Sequence, residues 1–170
     1  MKKIAFFIVI SIISVNAFAL DIKSGAFENK GYIPDRYTCD AQNFSPYVYW
    51  KDIPSKTKSL VLICDDPDAP FKIWVHWVVF NIPVTVKEFK ENIGREGIKA
   101  LGAIEGLNDS GTLGYKGPCP PAGKTHRYIF SLYALDITLN LKEGATKNEI
   151  IEAMKGHIIA EAKTTGLYQR

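Results

Sequence analysis

Two stretches of this sequence carry groups that can bind an anion. The stretch DDPDAP holds three aspartates and is followed closely by His76. The stretch GYKGPCPPAGKTHRY (114–128) passes three prolines before it reaches His126 and Tyr128. Imidazole N–H and phenol O–H groups donate hydrogen bonds to phosphate or carboxylate, and a carboxylate can orient an imidazole. If the two stretches meet in the fold, they predict a small-anion site in which Asp66 orients one of the histidines.

Prolines stiffen the loop that precedes His126. Each proline fixes its own φ angle and keeps the preceding residue out of the helical region, so Pro120 and Pro121 hold the loop open. A wall that is ordered before its ligand arrives loses little conformational freedom on binding. We expect backbone N–H groups of the turn from Gly117 to Cys119 to complete the shell around the anion.

Arg127 stands between His126 and Tyr128 at what reads as the start of a strand. Side chains alternate between the two faces of a strand, so His126 and Tyr128 point to one side and Arg127 to the other. We therefore expect Arg127 to pair with an aspartate rather than to contact the ligand. The candidate partners are Asp65, Asp66 and Asp68.

Three other interpretations of these residues stay open on the sequence alone. His76, His126 and one carboxylate resemble a two-histidine, one-carboxylate metal site, although no short ligand spacing accompanies them. Cys119 could be a nucleophile with His126 as its base. The aspartates could instead serve only as turn and cap residues while the histidines satisfy buried partners, and Asp65 and Asp68 suit that role.

The first 19 residues have the pattern of a secretory signal peptide. Lys2 and Lys3 precede an apolar run, and small residues follow up to Ala19, where we expect cleavage. The apolar run is shorter than the roughly 20 residues of a spanning helix, which disfavours a retained membrane anchor. The pattern predicts a periplasmic or secreted protein without a transmembrane anchor after cleavage, and residues 20–170 have the size of a single domain.

Export would place all three cysteines in an oxidising compartment, where disulfides form. Cys64 ends the apolar run SLVLIC and is predicted to be a buried small hydrophobic residue. Cys39 and Cys119 lie in loop contexts, which makes them the candidate pair. The sequence does not supply the Cα separation that a bridge requires, so the disulfide stays a hypothesis at this point.

The charge of the chain limits its partners. The formal net charge is +3 for the whole chain, and +3 minus the two leader lysines leaves about +1. No dense basic run remains, and nucleic acid normally requires a concentrated basic face. We therefore expect no nucleic acid partner, and we expect no cofactor.

Short apolar runs bounded by turn residues predict that strands position these groups. The runs lie at 47–50, 59–64, 74–80 and 128–141. Residues 87–118 scatter glycine and charge, and they predict a long surface excursion with at most a short strand near 100–104.

A helix is predicted late in the chain. Thr146 and Glu149 have the spacing of a capping box, and apolar residues then recur at steps of three and four. We expect this helix to run to about Lys163 and to end near Gly166. Many strands followed by one late helix indicate a mainly β, α+β domain.

Taken together, these motifs resemble the phosphatidylethanolamine-binding protein family, also called Raf kinase inhibitor-like proteins, and especially its bacterial YbhB/YbcL-type branch. The resemblance covers nearly the whole of residues 22–168. Four segments carry it in order: YTCDAQNFSPYVYW (37–50), HWVVFNIP (76–83), NDSGTLGYKGPCPP (108–121) and HRYIFSLYALD (126–136).

The resemblance implies two antiparallel β-sheets with a C-terminal helix, and a shallow pocket for phosphate-like or carboxylate groups. Carried over by motif, the ligand-binding residues are Asp66, His76, Gly117, Pro120 and His126, with Tyr128 close by. Two positions depart from the family pattern. The segment FKIWV lacks the tyrosine of eukaryotic members, so we expect Trp74 to take part of that wall, and Ser110 stands where similar bacterial sequences often have an aromatic residue.

The sequence therefore predicts an exported, non-enzymatic binding protein with a preformed pocket for a phosphate ester or a carboxylate, of which a phospholipid headgroup is one example. The alternatives are weak hydrolase or protease-inhibitor activity at the same pocket, and a protein-interaction module that uses residues 87–113. The resemblance to bacterial members also suggests a homodimer. A signalling activity is not expected to transfer, since an exported protein does not meet a cytosolic kinase of its own cell.

Overall fold

The computed structural model of this chain describes residues 19–170. The predicted signal peptide at 1–19 therefore lies outside the described residues, except for Ala19. Within the described range, no helix is long and apolar enough to cross a membrane.

Strands dominate the described part of the chain. The strands are β1 (Asp21–Ser24), β2 (Val48–Lys51), β3 (Ser59–Asp66), β4 (Trp74–Ile82), β5 (Glu88–Phe89), β6 (Ile104–Glu105), β7 (His126–Leu135) and β8 (Ile158–Tyr168). The α-helices are α1 (Arg95–Ala100) and α2 (Lys147–Met154), and a 3-10 turn spans Asp35–Tyr37.

These strands form two antiparallel sheets. The smaller sheet has the order β1-β2-β5, and the larger one has the order β6-β4-β3-β7-β8. The predicted fold class, mainly β with two antiparallel sheets, is confirmed. β3 and β4 lie inside the larger sheet and have hydrogen-bonded neighbours on both edges. Core residues also cover both faces of these strands, so their side chains can be apolar throughout.

The central strand β3 separates two layers of the core, since alternate side chains point to opposite faces of a sheet. Leu62 and Cys64 face the small sheet, in a cluster that also contains Trp50. Ile63 faces the other way and belongs to a cluster with Met154 of α2. Cys64 is a buried free thiol, as predicted.

The late helix is shorter than expected. It begins as predicted, since Thr146 and Glu149 form a complete capping box. It ends at Met154 rather than near Lys163. Gly156 follows at a φ of 77°, a left-handed conformation that no residue of an α-helix adopts and that suits glycine.

The segment predicted to continue that helix is the strand β8, which pairs with β7 along its whole length. Its inward-facing positions include Ala160 and Ala162, while Glu161 and Lys163 are exposed. Alanine is a weak marker of a buried strand face, so the helical spacing of apolar residues from Ile150 to Ile158 predicts that the helix continues. A helix near the C-terminus is therefore present, but a strand is the last element.

Other boundaries also differ from the expectations. The excursion at 87–118 contains β5, the helix α1 and β6, and only a short strand near 100–104 was predicted. β1 was not predicted. β7 occupies His126–Leu135 rather than 128–141, which places the second histidine inside the strand.

Candidate functional site

Three strand ends meet at one edge of the larger sheet. β3 ends at Asp66, and its antiparallel neighbours β4 and β7 begin at Trp74 and His126. In the register of the sheet Asp66 lies opposite Trp74. The order β4-β3-β7 therefore brings the aspartate cluster and both histidines together, although they are far apart in sequence.

Asp66 orients His126. The His126 Nδ1 lies 2.7 Å from Asp66 Oδ2, and the two side chains are 3% and 5% exposed. A carboxylate oxygen can only accept here, so Nδ1–H is the donor and Nε2 is the ring nitrogen left for a ligand. The other carboxylate oxygen of Asp66 accepts from the Asp68 backbone N–H at 2.8 Å, which fixes the carboxylate plane.

His76 is oriented in the same way by a different acceptor. Its Nδ1–H donates to the Lys116 carbonyl oxygen, which again leaves Nε2 as the unused ring nitrogen. Burial lowers the pKa of His76, and the Lys116 carbonyl and the charges of Asp66 and Asp65 oppose that effect. His76 is therefore a neutral imidazole at pH 7.

Tyr128 lies behind the two histidines. Its ring packs edge to face against His76, with the centroids 5.1 Å apart. Its hydroxyl is buried and has no hydrogen-bond partner among the described residues. Burial, followed by the nearby Asp66 carboxylate, raises the pKa of the Tyr128 phenol well above its usual value. Tyr128 supports the ring of His76 and does not line the cavity.

The three neighbouring aspartates have three different partners. Asp68 accepts from the Arg127 guanidinium at 2.8 and 2.9 Å, so the predicted ion pair of Arg127 is formed with the last of its candidates. The Arg127 hydrogen bonds lower the pKa of Asp68 to about 2. Asp65 points to the other face of β3 and pairs with Lys147 at 2.6 Å.

The opposite wall of the site is tied to the segment 37–43. The Gly117 N–H donates to Asn43 Oδ1 at 2.7 Å. A Cβ atom at position 117 would overlap the Tyr37 carbonyl oxygen, so only glycine allows this close approach. The backbone N–H of Cys39 donates to the Pro118 carbonyl, and a disulfide joins Cys39 to Cys119.

This geometry corrects one expectation about the wall. The Gly117 N–H was expected to face the anion, but it is already bonded to Asn43. Pro118 has no N–H to offer. The unused Nε2 atoms of the two histidines, which become N–H donors when the rings are protonated, are therefore the polar atoms that these side chains offer to a ligand.

The two loops and the strand ends enclose a cavity of about 320 Å³. Five of the six predicted ligand-binding residues line it, namely Asp66, His76, Gly117, Pro120 and His126. Trp74 and Ser110 line it too, and Trp74 was expected there. Phe71 and Lys116 were not predicted, although each stands beside a residue of the two motifs, Pro70 and Gly117.

Two of the other interpretations find no support here. Across residues 19–170 the structure contains no group of three His, Cys, Asp or Glu side chains that could hold a metal ion. Cys119 is bonded to Cys39 and has no thiol with which to attack a substrate. The interpretation that these residues only stabilise the fold applies to Asp65 and Asp68, as expected. It does not explain why the Nε2 atoms of His76 and His126 are left for a ligand.

The chain is similar to known proteins over nearly its whole described length. The family model described as phosphatidylethanolamine-binding protein matches residues 23–169. A UPF0098 protein of Methanothermobacter thermautotrophicus is 54% identical over 151 residues, which is 89% of this chain and 99% of the relative.

Solved structures agree with this assignment. A phosphatidylethanolamine-binding protein homologue from Chlamydia trachomatis, CT736, is 41% identical and superposes with a TM-score of 0.82 over 89% of this chain and 98% of its own. YbcL of Escherichia coli, described as a member of the mammalian PEBP family, is 31% identical with a TM-score of 0.83 over 90% and 99% of the two chains. The chain thus belongs to the phosphatidylethanolamine-binding protein family.

Proposed function

We propose that this protein is an exported, non-enzymatic binding protein whose cavity at His76 and His126 accepts a small anionic group, such as a phosphate ester or a carboxylate. One observation carries the proposal. Each imidazole has its Nδ1–H committed to a protein acceptor, and each keeps Nε2 for something else in the same cavity. Protonated at Nε2, both rings would donate to one anion.

The preformed walls favour binding of a ligand. Pro70, Pro120 and Pro121 line the cavity, and hydrogen bonds hold the Gly117 wall to the segment behind it. Proline rings and these hydrogen bonds restrict the walls by themselves, so little conformational entropy is lost when a ligand binds. No group in the cavity is placed as an activated nucleophile, which favours binding over turnover.

Export is supported by two independent features. The N-terminal 19 residues have the pattern of a signal peptide. The disulfide between Cys39 and Cys119 belongs to an oxidising compartment, since cytosolic thiols are kept reduced. We propose the periplasm or the extracellular space as the site of action.

The proposal is tested by titrating the purified protein with inorganic phosphate, O-phosphoethanolamine and acetate while the imidazole NMR signals are followed. We expect the signals of His76 and His126 to shift together and to saturate. His157 is the internal control, because its Nδ1 pairs with Asp136 away from the cavity. Signals that do not respond to any of the three anions would overturn the proposal.

The matched variants are His126→Asn and His157→Asn. An asparagine amide can replace the Nδ1–H donor to Asp66 but offers nothing in the place of Nε2, so the first variant should remain folded and lose anion binding. The second should bind like the wild type. Turnover of a phosphate or acyl ester that disappears with His126→Asn would instead favour the hydrolase alternative.

A further inference from the structure

The walls of the cavity differ in chemistry from its base, and this difference bears on the ligand of the proposed anion site. The polar base consists of His76, His126 and Asp66, all nearly inaccessible to solvent. The surrounding wall is mostly apolar and contains Ala69, Pro70, Phe71, Trp74, Pro120 and Pro121. A ligand that fills the cavity therefore meets the two imidazoles at one end and a mostly apolar wall, interrupted by Ser110 and Lys116, along the rest.

Phe71 stands at the rim of this apolar wall without a packing partner in the part of the chain that the structure describes. Its side chain is fully exposed, at 108% of the reference area, which is unusual for a large aromatic residue. It also has a φ of 76°, a left-handed conformation that residues other than glycine and asparagine rarely adopt. Unusual backbone conformations of this kind cluster at functional loops. Among residues 19–170 no contact explains why a phenyl ring is held there.

Trp74, in contrast, has the charged group of Lys72 against its ring. The Lys72 Nζ lies 5.4 Å from the centre of the Trp74 ring and 2.7 Å from Asp109 Oδ1. The other oxygen of Asp109 accepts from the Val75 N–H at 2.8 Å, so this lysine is anchored to β4. Trp74, at the start of β4 and with Lys72 near its ring, thus provides one aromatic surface of the cavity, and the exposed Phe71 provides a second.

The size of the cavity argues against a bare anion as the whole ligand. A volume of about 320 Å³ equals that of about ten liquid water molecules, at about 30 Å³ each, and it is typical of a small organic molecule. Inorganic phosphate or acetate bound at His76 and His126 would leave the apolar wall in contact with water. Covering that wall with an apolar group removes apolar surface from water, which is favourable.

We propose that the ligand is an organic anion with an aromatic or similarly flat apolar group next to its phosphate or carboxylate. The anionic group binds at the histidines, and the apolar group lies between Trp74 and the proline wall with Phe71 closing over it. This inference rests on the proposed anion site and adds the class of molecule that the site selects.

The test compares affinities of the purified protein for methyl phosphate and phenyl phosphate by calorimetry at one pH. Both carry the same phosphate monoester group, so at a pH where both are dianions their ratio reports the apolar subsite. We expect phenyl phosphate to bind at least about tenfold more tightly, from the apolar area that it buries. Phe71→Asn, which suits the left-handed backbone, should reduce that ratio at least about threefold and leave methyl phosphate unaffected.

Ile73→Ser is the matched control, because Ile73 is 52% exposed in the same loop but does not line the cavity. It should leave the ratio unchanged. If neither phosphate binds, the proposed function itself fails. If methyl phosphate binds and phenyl phosphate binds no more tightly, or if Phe71→Asn leaves the ratio unchanged, the anion site stands and the aromatic subsite is overturned.

A short-chain phosphatidylethanolamine, dihexanoyl, distinguishes a lipid from a soluble aromatic anion. We expect it to bind no more tightly than O-phosphoethanolamine, because flexible acyl chains match a short rigid slot poorly and lose entropy on binding. Binding tighter than that of phenyl phosphate, with a loss in Phe71→Asn, would make acyl chains the occupant of the wall and would overturn the aromatic assignment.

Discussion

The two histidines of the site have the same free nitrogen but different acceptors behind them. His126 donates to the Asp66 carboxylate, whereas His76 donates to the neutral Lys116 carbonyl. Burial lowers the pKa of His76 because an imidazolium cation loses its hydration there. An anion bound at Nε2 would favour the protonated ring, so anion binding and proton uptake at His76 are linked.

This linkage predicts that anion affinity rises as pH falls. Sulfate is the suitable probe, since it stays a dianion over the whole range and any pH dependence belongs to the protein. Between pH 8 and 5.5 we expect sulfate affinity to increase, by at most about tenfold per pH unit for each proton taken up. His76→Asn keeps a donor to the Lys116 carbonyl and should flatten the profile. Calorimetric titrations at several pH values measure it, and equal profiles for the two proteins would contradict the linkage.

Gly117 allows the wall of the cavity to lie against the backbone of the segment behind it. In Gly117→Ala the new methyl group would overlap the Tyr37 carbonyl oxygen, so one of the two segments must move. We expect a loss of about 1–3 kcal/mol in the free energy of unfolding, as for other overpacked sites. Denaturant unfolding measures it. Gly94→Ala adds a Cβ that meets nothing within 4 Å, so it should cost less than Gly117→Ala, with only the smaller loss of a glycine N-cap of α1.

At the level of elements, the site depends on where three strands and one loop end. β3, β4 and β7 bring Asp66, His76 and His126 to one sheet edge, and the loop before β7 supplies the opposite wall. That loop has several attachments to the segment 37–43. Besides the disulfide they include the Tyr115 hydroxyl, which donates to the Tyr37 carbonyl at 3.0 Å.

These attachments predict separate effects of the disulfide on stability and on binding. The bridge closes a loop with a sequence separation of 80, so Cys39→Ser with Cys119→Ser should lower the free energy of unfolding by about 4 kcal/mol. Because Gly117 and Tyr115 still hold the wall, the folded variant should bind phosphate within about threefold of the wild type. Denaturant unfolding and NMR titration at low temperature measure the two quantities. A folded variant that does not bind would show that the bridge itself shapes the site.

At the level of the whole molecule, buried ionisable groups make stability depend on pH. His76 has a lowered pKa in the folded protein, so the unfolded chain binds more protons just below pH 6.5. Stability from this group is therefore complete above that pH and decreases as the pH falls. Burial raises the pKa values of Asp65 and Glu105. These two groups act in the opposite direction, so their contribution to stability increases as the pH falls through a lower range, just above the ordinary pKa values of carboxyl groups.

Unfolding experiments between pH 7.5 and 5.5 separate the histidine contribution from those carboxyl groups. For His76 we expect the free energy of unfolding to decrease by at most about 1.4 kcal/mol for each unit by which the pH is lowered. In His76→Asn the free energy of unfolding should depend less steeply on pH, by the contribution of His76, whatever the absolute stability of the variant. At much lower pH, stability from the Asp68 pair with Arg127 is lost as the pH falls from about 3.8 toward the Asp68 pKa of about 2. An unchanged slope in His76→Asn would show that His76 titrates alike in the folded and unfolded chains.

Local patterns in the sequence predicted much of the fold and the core of the candidate site. Short apolar runs indicated β3, β4 and β7, because strands buried on both faces need apolar residues at every position. The motifs DPDAP, HWVVFNIP, GPCPP and HRY indicated five residues that line the cavity. β8 was missed because its inward-facing residues are small, and β1 was missed because a short edge strand has little pattern to recognise.

By itself the sequence determined which residue types stand at the strand ends, how stiff the loops beside them are, and which family the chain resembles. Only the tertiary structure decided which aspartate serves which partner. Asp66, Asp68 and Asp65 are equivalent carboxylates in the sequence, yet they pair with His126, Arg127 and Lys147 respectively. Those partners lie 60, 59 and 82 residues away. Asp65 and Asp66 point to opposite faces because side chains alternate along β3, and Asp68 follows the end of that strand. The long-range packing of β7 and α2 against β3 determines which partner lies beside each aspartate.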